Sequence, residues 1–273
     1  MTPVIQALFA LLFGLLIGSF LNVCIHRWPR GRSVVKPRSH CVRCRKFIPW
    51  YDNIPLVSYL LLLGRCRRCG ARISPRYPLV EWLTGVLFFY MVHTHGFTME
   101  ALKMCVFCAI LVALICCDME KRILPDEFTL GGMVLGFLLA PFTTVPDMTA
   151  QSIVWLCGGQ WKPWANSLAE SALGAGLPAV CLWFAGWMYY RMRQKEGLGF
   201  GDVKLIAMVG SFVGLRGALL ILIMGASAGS LLGYGYIKLT GKDTKTYELP
   251  LGSFLAAAAL VAAIFSKWML TAT

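Results

Sequence analysis

The chain has 273 residues, of which 58% are hydrophobic and only 14% charged. A soluble domain is nearer half apolar and a quarter charged. Several of its apolar runs approach the roughly 20 residues that cross a bilayer. A soluble globular protein is therefore excluded, and an all-α polytopic membrane protein is expected. The net charge of +13 would suggest nucleic acid in a soluble protein. Here retention of Lys and Arg on the cytoplasmic side accounts for it, with no nucleic-acid partner.

The first apolar run, about Val4–Ile25, has no basic stretch before it. It is longer than a signal-peptide core and lacks a small-residue cleavage site, so it reads as a retained helix. A basic segment, His26–Pro78, follows and holds half of the chain's 26 Lys and Arg, opposed only by Asp52. Such a loop belongs in the cytoplasm, which puts the N-terminus outside. Within it Ile54–Leu63 is apolar but too short to span, and reads as a buried or interfacial piece.

Further apolar runs cover about Leu79–Val92, Ala101–Cys117, Phe128–Phe142, Leu168–Tyr190, Val203–Leu215, Ala218–Ile237 and Leu251–Leu270. With the first, they predict about eight transmembrane helices and two periplasmic termini. The charges agree. Inside loops Asp118–Glu127, Arg191–Asp202 and Lys238–Glu248 carry Lys121, Arg122, Arg191, Arg193, Lys195, Lys238, Lys242 and Lys245. Outside segments keep only Lys103, Lys162, Arg216 and Lys267. Val203–Leu215 is short for a span. A re-entrant reading would put Lys238, Lys242 and Lys245 outside, so it is kept as a short helix, accommodated by bilayer thinning or by burial. The expected organisation is a first helix over 1–25, a cytoplasmic basic domain over 26–78 and a membrane core over 79–273. The core includes a polar periplasmic loop over about 143–167.

Acidic residues at membrane depth are costly and point to function. Asp118 ends an apolar run, and Asp202 closes Gly199-Phe200-Gly201-Asp202 and opens another. Both fall at the cytoplasmic boundary on different helices. Two facing carboxylates share a proton, which provides one base to activate water and one acid to protonate a carbonyl oxygen. Gly199 and Gly201 would permit positive φ and close approach of a substrate backbone. Taken alone, these aspartates fit helix caps equally well. Asp126, after Pro125, fits an N-cap best.

Of the 11 cysteines, four form Cys41-Val-Arg-Cys44 and Cys66-Arg-Arg-Cys69 in the basic loop. Each CxxC can wrap a metal, and four thiolates complete a tetrahedron. Structural zinc in a reducing compartment is expected, with a redox pair or unmetallated thiols as the alternatives. Cys105 and Cys108 repeat the spacing inside an apolar helix, where packing explains them.

Together these features resemble the bacterial prepilin peptidases, or type IV leader peptidases. The resemblance is carried by Gly18-Ser-Phe-Leu-Asn22-Val, the four-cysteine loop, and Trp50-Tyr-Asp52-Asn53-Ile-Pro55-Leu-Val-Ser58-Tyr. It continues through Ile73-Ser74-Pro-Arg76-Tyr77-Pro78-Leu-Val-Glu81, Asp118-x6-Pro125-Asp126, Gly199-x-Gly201-Asp202-Val-Lys204 and Leu249-Pro250-Leu-Gly252-Ser-Phe254-Leu. It implies a peptidase of the bacterial inner membrane with Asp118 and Asp202 as the catalytic pair. The implied substrates are type IV prepilins and type II secretion pseudopilins, cut after a glycine on the cytoplasmic side. Many members also N-methylate the new terminus with S-adenosylmethionine. Some lack the cysteines, so zinc on Cys41, Cys44, Cys66 and Cys69 would support the loop's fold rather than cleavage.

Gly199, Gly201, Asp126, Lys204 and Glu81 are supporting candidates. Lys204 either tunes the pair or snorkels to the interface. Glu81 either contacts substrate or the methylation site, or pairs with a loop arginine. The chain departs from the family pattern where Leu251 replaces Phe and Ser253 replaces Pro. No glycine-rich cofactor fingerprint is visible, so methylation rests on resemblance. The competing readings are a peptidase without methyl transfer and a non-catalytic scaffold whose cysteine loop docks a partner.

Overall fold

The computed structural model describes residues 2–144, 149–156, 161–194, 199–240 and 251–271. Lys195, Lys242, Lys245, Leu249 and Pro250, used in the charge and motif readings above, lie outside them. The described residues are helical, with only two isolated β-bridges, and divide into two compact units, 1–113 and 114–273. Among the described residues, four helices are long and apolar enough to cross a membrane: Pro3–Arg30, Met99–Lys121, Pro163–Arg193 and Phe200–Gly233. This is a multi-pass helical membrane protein.

In the first unit, α1 (Pro3–Arg27) packs along α3 (Arg76–His95). Small residues let their backbones approach, as they do between helices in lipid. A Cβ on Gly14 would lie 2.9 Å from Gly85 Cα, and one on Gly18 would lie 2.7 Å from Glu81 Cα. The outer face of α1 stays apolar and exposed, with Phe9 62% and Leu12 61% accessible. This suits lipid contact. Between these helices runs the basic segment, with a short α2 (Val57–Leu61). Leu60, Leu61 and Leu63 are exposed, so of the two readings of this apolar piece, burial does not hold. α4 (Met99–Lys121) begins in this unit, with Cys105 and Cys108 buried in its packing.

In the second unit, the last turns of α4 lead through Arg122, in the left-handed region at φ 54, to Pro125 and α5 (Asp126–Leu139). The Arg122 amide returns to the Asp118 carbonyl at 2.8 Å, a left-handed helix stop. The expected polar loop over 143–167 in fact contains α6 (Thr149–Leu156) and the start of α7 (Pro163–Arg193). Buried Glu170 of α7 draws α6 in by accepting hydrogen bonds from the Ala150 amide and Thr149 hydroxyl, both at 2.5 Å. Composition carries no trace of that partner.

The two runs read as Val203–Leu215 and Ala218–Ile237 are two helices within α8 (Phe200–Thr240), separated by a non-helical kink at Gly214. Gly214 has φ 78, a conformation open to glycine at no steric cost. α7 meets α8 there almost backbone to backbone, since a Cβ on Gly174 would lie 2.5 Å from the Gly214 carbonyl carbon. α9 (Leu251–Thr271) packs on α8 through Gly225 and Leu255.

Candidate active site

Two places gather chemistry, one in each unit. The first is built locally. Cys41 accepts the Arg45 amide at 2.9 Å and donates its own to Lys46 at 3.0 Å. Cys66 repeats the pattern with Gly70 at 2.9 Å and Ala71 at 2.8 Å. Antiparallel bridges His40–Phe47 and Arg65–Arg72 close the two turns. Arg45 and Gly70 take positive φ at equivalent places, 57 and 65, so the segment folds as two copies of one knuckle.

The copies face each other. All four sulfurs lie within 4.8 Å of one another, and Cys41 Sγ is 3.8 Å from Cys69 Sγ. Zinc–sulfur bonds of about 2.3 Å in a tetrahedron need sulfurs about 3.8 Å apart. The donor set fits a thiophilic cation. The Ala71 amide pulls the Cys69 thiol down, but desolvation and the Cys66, Cys44 and Cys41 thiols outweigh it and push it up to about 11. A bound cation reverses that penalty. Arg67 braces the second knuckle against the intervening segment, with a bidentate pair to Asp52 at 2.7–3.0 Å and its guanidinium 5.7 Å from the Tyr51 ring.

The second place is assembled from three helix ends. Asp118 lies in the last turn of α4 and is 5% exposed. Asp202 lies in the first turn of α8, its amide donating to the Gly199 carbonyl at 3.0 Å. The first turn of α9 completes the site. A Cβ placed on Gly252 would lie 3.2 Å from Asp202 Oδ1 and 3.3 Å from Asp118 Cγ. Both carboxylates therefore converge on Gly252, together with Leu124, whose Cδ1 would lie 3.0 Å from the same added Cβ. Ser253 donates to Asp118 Oδ2 from its amide at 2.6 Å and from its hydroxyl at 2.5 Å.

The supporting candidates fall differently. Gly199 and Gly201 do not take positive φ as expected. The turn into α8 has already begun at Gly199, whose carbonyl accepts the Asp202 amide. Gly201 instead leaves room for Leu124, whose Cδ1 would be 3.3 Å from an added Cβ. Asp126 does not cap α5; Pro125 is the N-cap residue, with no side-chain cap. Its carboxylate accepts Lys204 Nζ at 2.7 and 2.9 Å. Lys204 is thereby committed to Asp126 and sits 5.0 Å from the Phe200 ring. Glu81, in the first unit, is 8% exposed and accepts the Leu56 amide at 2.9 Å. Leu56 has φ 59, so Glu81 holds the strained entry to α2.

Gly252 and Ser253 were not read from the sequence as site residues. They stood only within a motif, with Ser253 a departure from it. Their burial against the aspartates depends on how α9 packs.

A buried and a half-buried aspartate converging at helix ends of a helical membrane protein are a candidate aspartic-hydrolase pair. The model of the Bacterial Peptidase A24 N-terminal domain matches residues 12–95, and that of the Type IV leader peptidase family matches residues 105–234. The chain belongs to the type IV leader peptidase family. A Myxococcus xanthus protein named prepilin leader peptidase/N-methyltransferase is 36% identical over 236 residues, 86% of this chain and 64% of the relative. Proteins of the same name from Aeromonas salmonicida and Pseudomonas aeruginosa are each 32% identical. The Aeromonas match covers 95% of this chain and 92% of the relative, and the Pseudomonas match 96% and 91%. No solved structure matches the chain.

Proposed function

We propose that this protein cleaves the leader peptides of type IV prepilins and type II secretion pseudopilins after a glycine and N-methylates the new terminus. The site would face the cytoplasm of a bacterial inner membrane. The observation that carries the reading is the convergence of Asp118 and Asp202 on Gly252. Names and lengths of the relatives support the substrate class.

In the proposed reaction a water lies between the carboxylates. One carboxylate takes a proton from the water as its oxygen bonds to the scissile carbonyl carbon, while the other gives its proton to the carbonyl oxygen. Collapse breaks the C–N bond, and the proton moves to the departing amine. The balance is one water consumed, with the shared proton restored to the pair. Burial of Asp118 keeps bulk water from competing for the pair. In the second step the freed amine would take the methyl group of S-adenosylmethionine, whose S–CH3 bond breaks to leave S-adenosylhomocysteine, and would lose a proton.

Cys41, Cys44, Cys66 and Cys69 would hold zinc, which would supply fold to the loop rather than chemistry to the cut. The proposed domains are the first helix (1–25), the cytoplasmic zinc loop (26–78) and the peptidase core (79–273). Eight spans with a periplasmic N-terminus remain the proposed topology, supported by the basic loops and by the kink at Gly214, which divides α8.

The test is a purified preparation mixed with a prepilin carrying its leader, read by mass spectrometry with and without S-adenosylmethionine. Cleavage after the leader glycine, lost in Asp118→Asn and in Asp202→Asn, is expected, with an added methyl mass when the donor is present. Cleavage surviving both substitutions would remove the aspartate pair from the mechanism.

A further inference from the structure

We propose that Ser253 is a positioning residue that sets the Asp118 carboxylate for catalysis in this chain. The proposal rests on the reading of Asp118 and Asp202 as the reacting pair. Two donors of one residue, the Ser253 amide at 2.6 Å and hydroxyl at 2.5 Å, converge on the same oxygen of Asp118, Oδ2. Two donors on one oxygen restrain its position, and with it the rotation of the carboxylate, more than one bond does. The neighbouring residue, Gly252, is where Asp118 and Asp202 come together, since an added Cβ there would lie 3.3 Å from Asp118 Cγ and 3.2 Å from Asp202 Oδ1. Adjacent residues of α9 thus hold Asp118 and admit its approach to Asp202.

The amide costs the helix nothing, because first-turn N–H groups have no intrahelical acceptor. The carboxylate also gains from the positive end of α9. The polarity of the hydroxyl bond is what separates this arrangement from a helix cap. A capping serine accepts an amide of its own helix, whereas Ser253 donates to a carboxylate 135 residues away. Ser253 also lies beyond residues 105–234, which match the family model.

Steady-state cleavage of a full prepilin by the intact enzyme tests this with Ser253→Ala, Ser253→Thr, Ser253→Pro and Asp118→Asn. Ser253→Ala should lower kcat about tenfold at unchanged KM, as expected for one lost bond to a charged group. Ser253→Thr, which keeps the hydroxyl, should return kcat to within about twofold. Ser253→Pro removes both donors at a first-turn position that tolerates proline, and should lower kcat about a hundredfold. Thermal unfolding of each variant close to the parent's shows that folding is not the cause. Unchanged kcat in both the Ala and Pro variants, a change confined to KM, or failure of Thr to rescue would overturn the proposal and leave the aspartate pair standing. Full cleavage by Asp118→Asn would instead overturn the pair, and the positioning role with it.

Discussion

The cysteine knuckles and the aspartate site are built on opposite plans. Each knuckle is folded by hydrogen bonds between residues four or five apart, Arg45 to Cys41 and Cys41 to Lys46. The two knuckles are near repeats along the chain. The aspartate site draws on the end of α4, the start of α8 and the start of α9, and nothing local connects them. A short-range site can be read from spacing, whereas a long-range site needs the whole helical packing to exist. Loss of one should therefore leave the other largely intact.

The largest effect should come from the aspartates themselves. Asp118→Asn or Asp202→Asn should lower cleavage by about four orders of magnitude or more, the scale seen when one member of a concerted catalytic unit is removed. Bound zinc, measured by elemental analysis, should be unchanged; joint loss of zinc and activity would mean that the two sites are coupled.

Gly252→Ala comes next, because its methyl would press on Asp202 Oδ1 and Asp118 Cγ. A core overpacking of about 1–3 kcal/mol falling on the transition state corresponds to roughly ten- to a hundredfold in kcat. Wild-type kinetics in this variant would mean that the carboxylates do not meet at Gly252.

Metal removal should act on the other region. Cys41→Ser, or a strong chelator, should release the proposed zinc and open residues 38–73 to trypsin, as structural zinc energy is folding energy. Cleavage should remain within about tenfold of the parent if the metal serves only the loop. A loss as deep as that of Asp118→Asn would give the loop a direct part in the reaction.

The smallest effect belongs to Lys204→Met. The Lys204–Asp126 pair is partly exposed, with side chains 22% and 55% accessible, and such pairs contribute about 0–1 kcal/mol. Thermal unfolding should shift little and kcat should stay within about fivefold. A deeper fall in kcat would show that Lys204 reaches the aspartates after all.

Membrane embedding, the basic loop and the two knuckles were legible in the sequence because each depends on composition or on neighbours a few residues apart. Cys41, Cys44, Cys66 and Cys69 converge as their spacing implied. Asp118 and Asp202 could be nominated, since carboxylates at helix ends in apolar surroundings are costly. Helix partners could not. Asp126 looked like a cap because proline precedes it, yet its carboxylate goes to Lys204 of another helix. Glu170 falls within the apolar run Leu168–Tyr190 and organises α6. Ser253 looked like a departure from a motif, yet it holds Asp118.

Alternating apolar and basic stretches thus determined, by themselves, that the chain enters a membrane and which loops carry its charge, because transfer free energy and charge bias are properties of local composition. The point where Asp118, Asp202 and Gly252 meet, the commitment of Lys204 to Asp126, and the backbone contact of Gly174 with Gly214 were decided only by packing. Each depends on which faces of distant helices touch, and a helix presents the same composition whichever neighbour it meets.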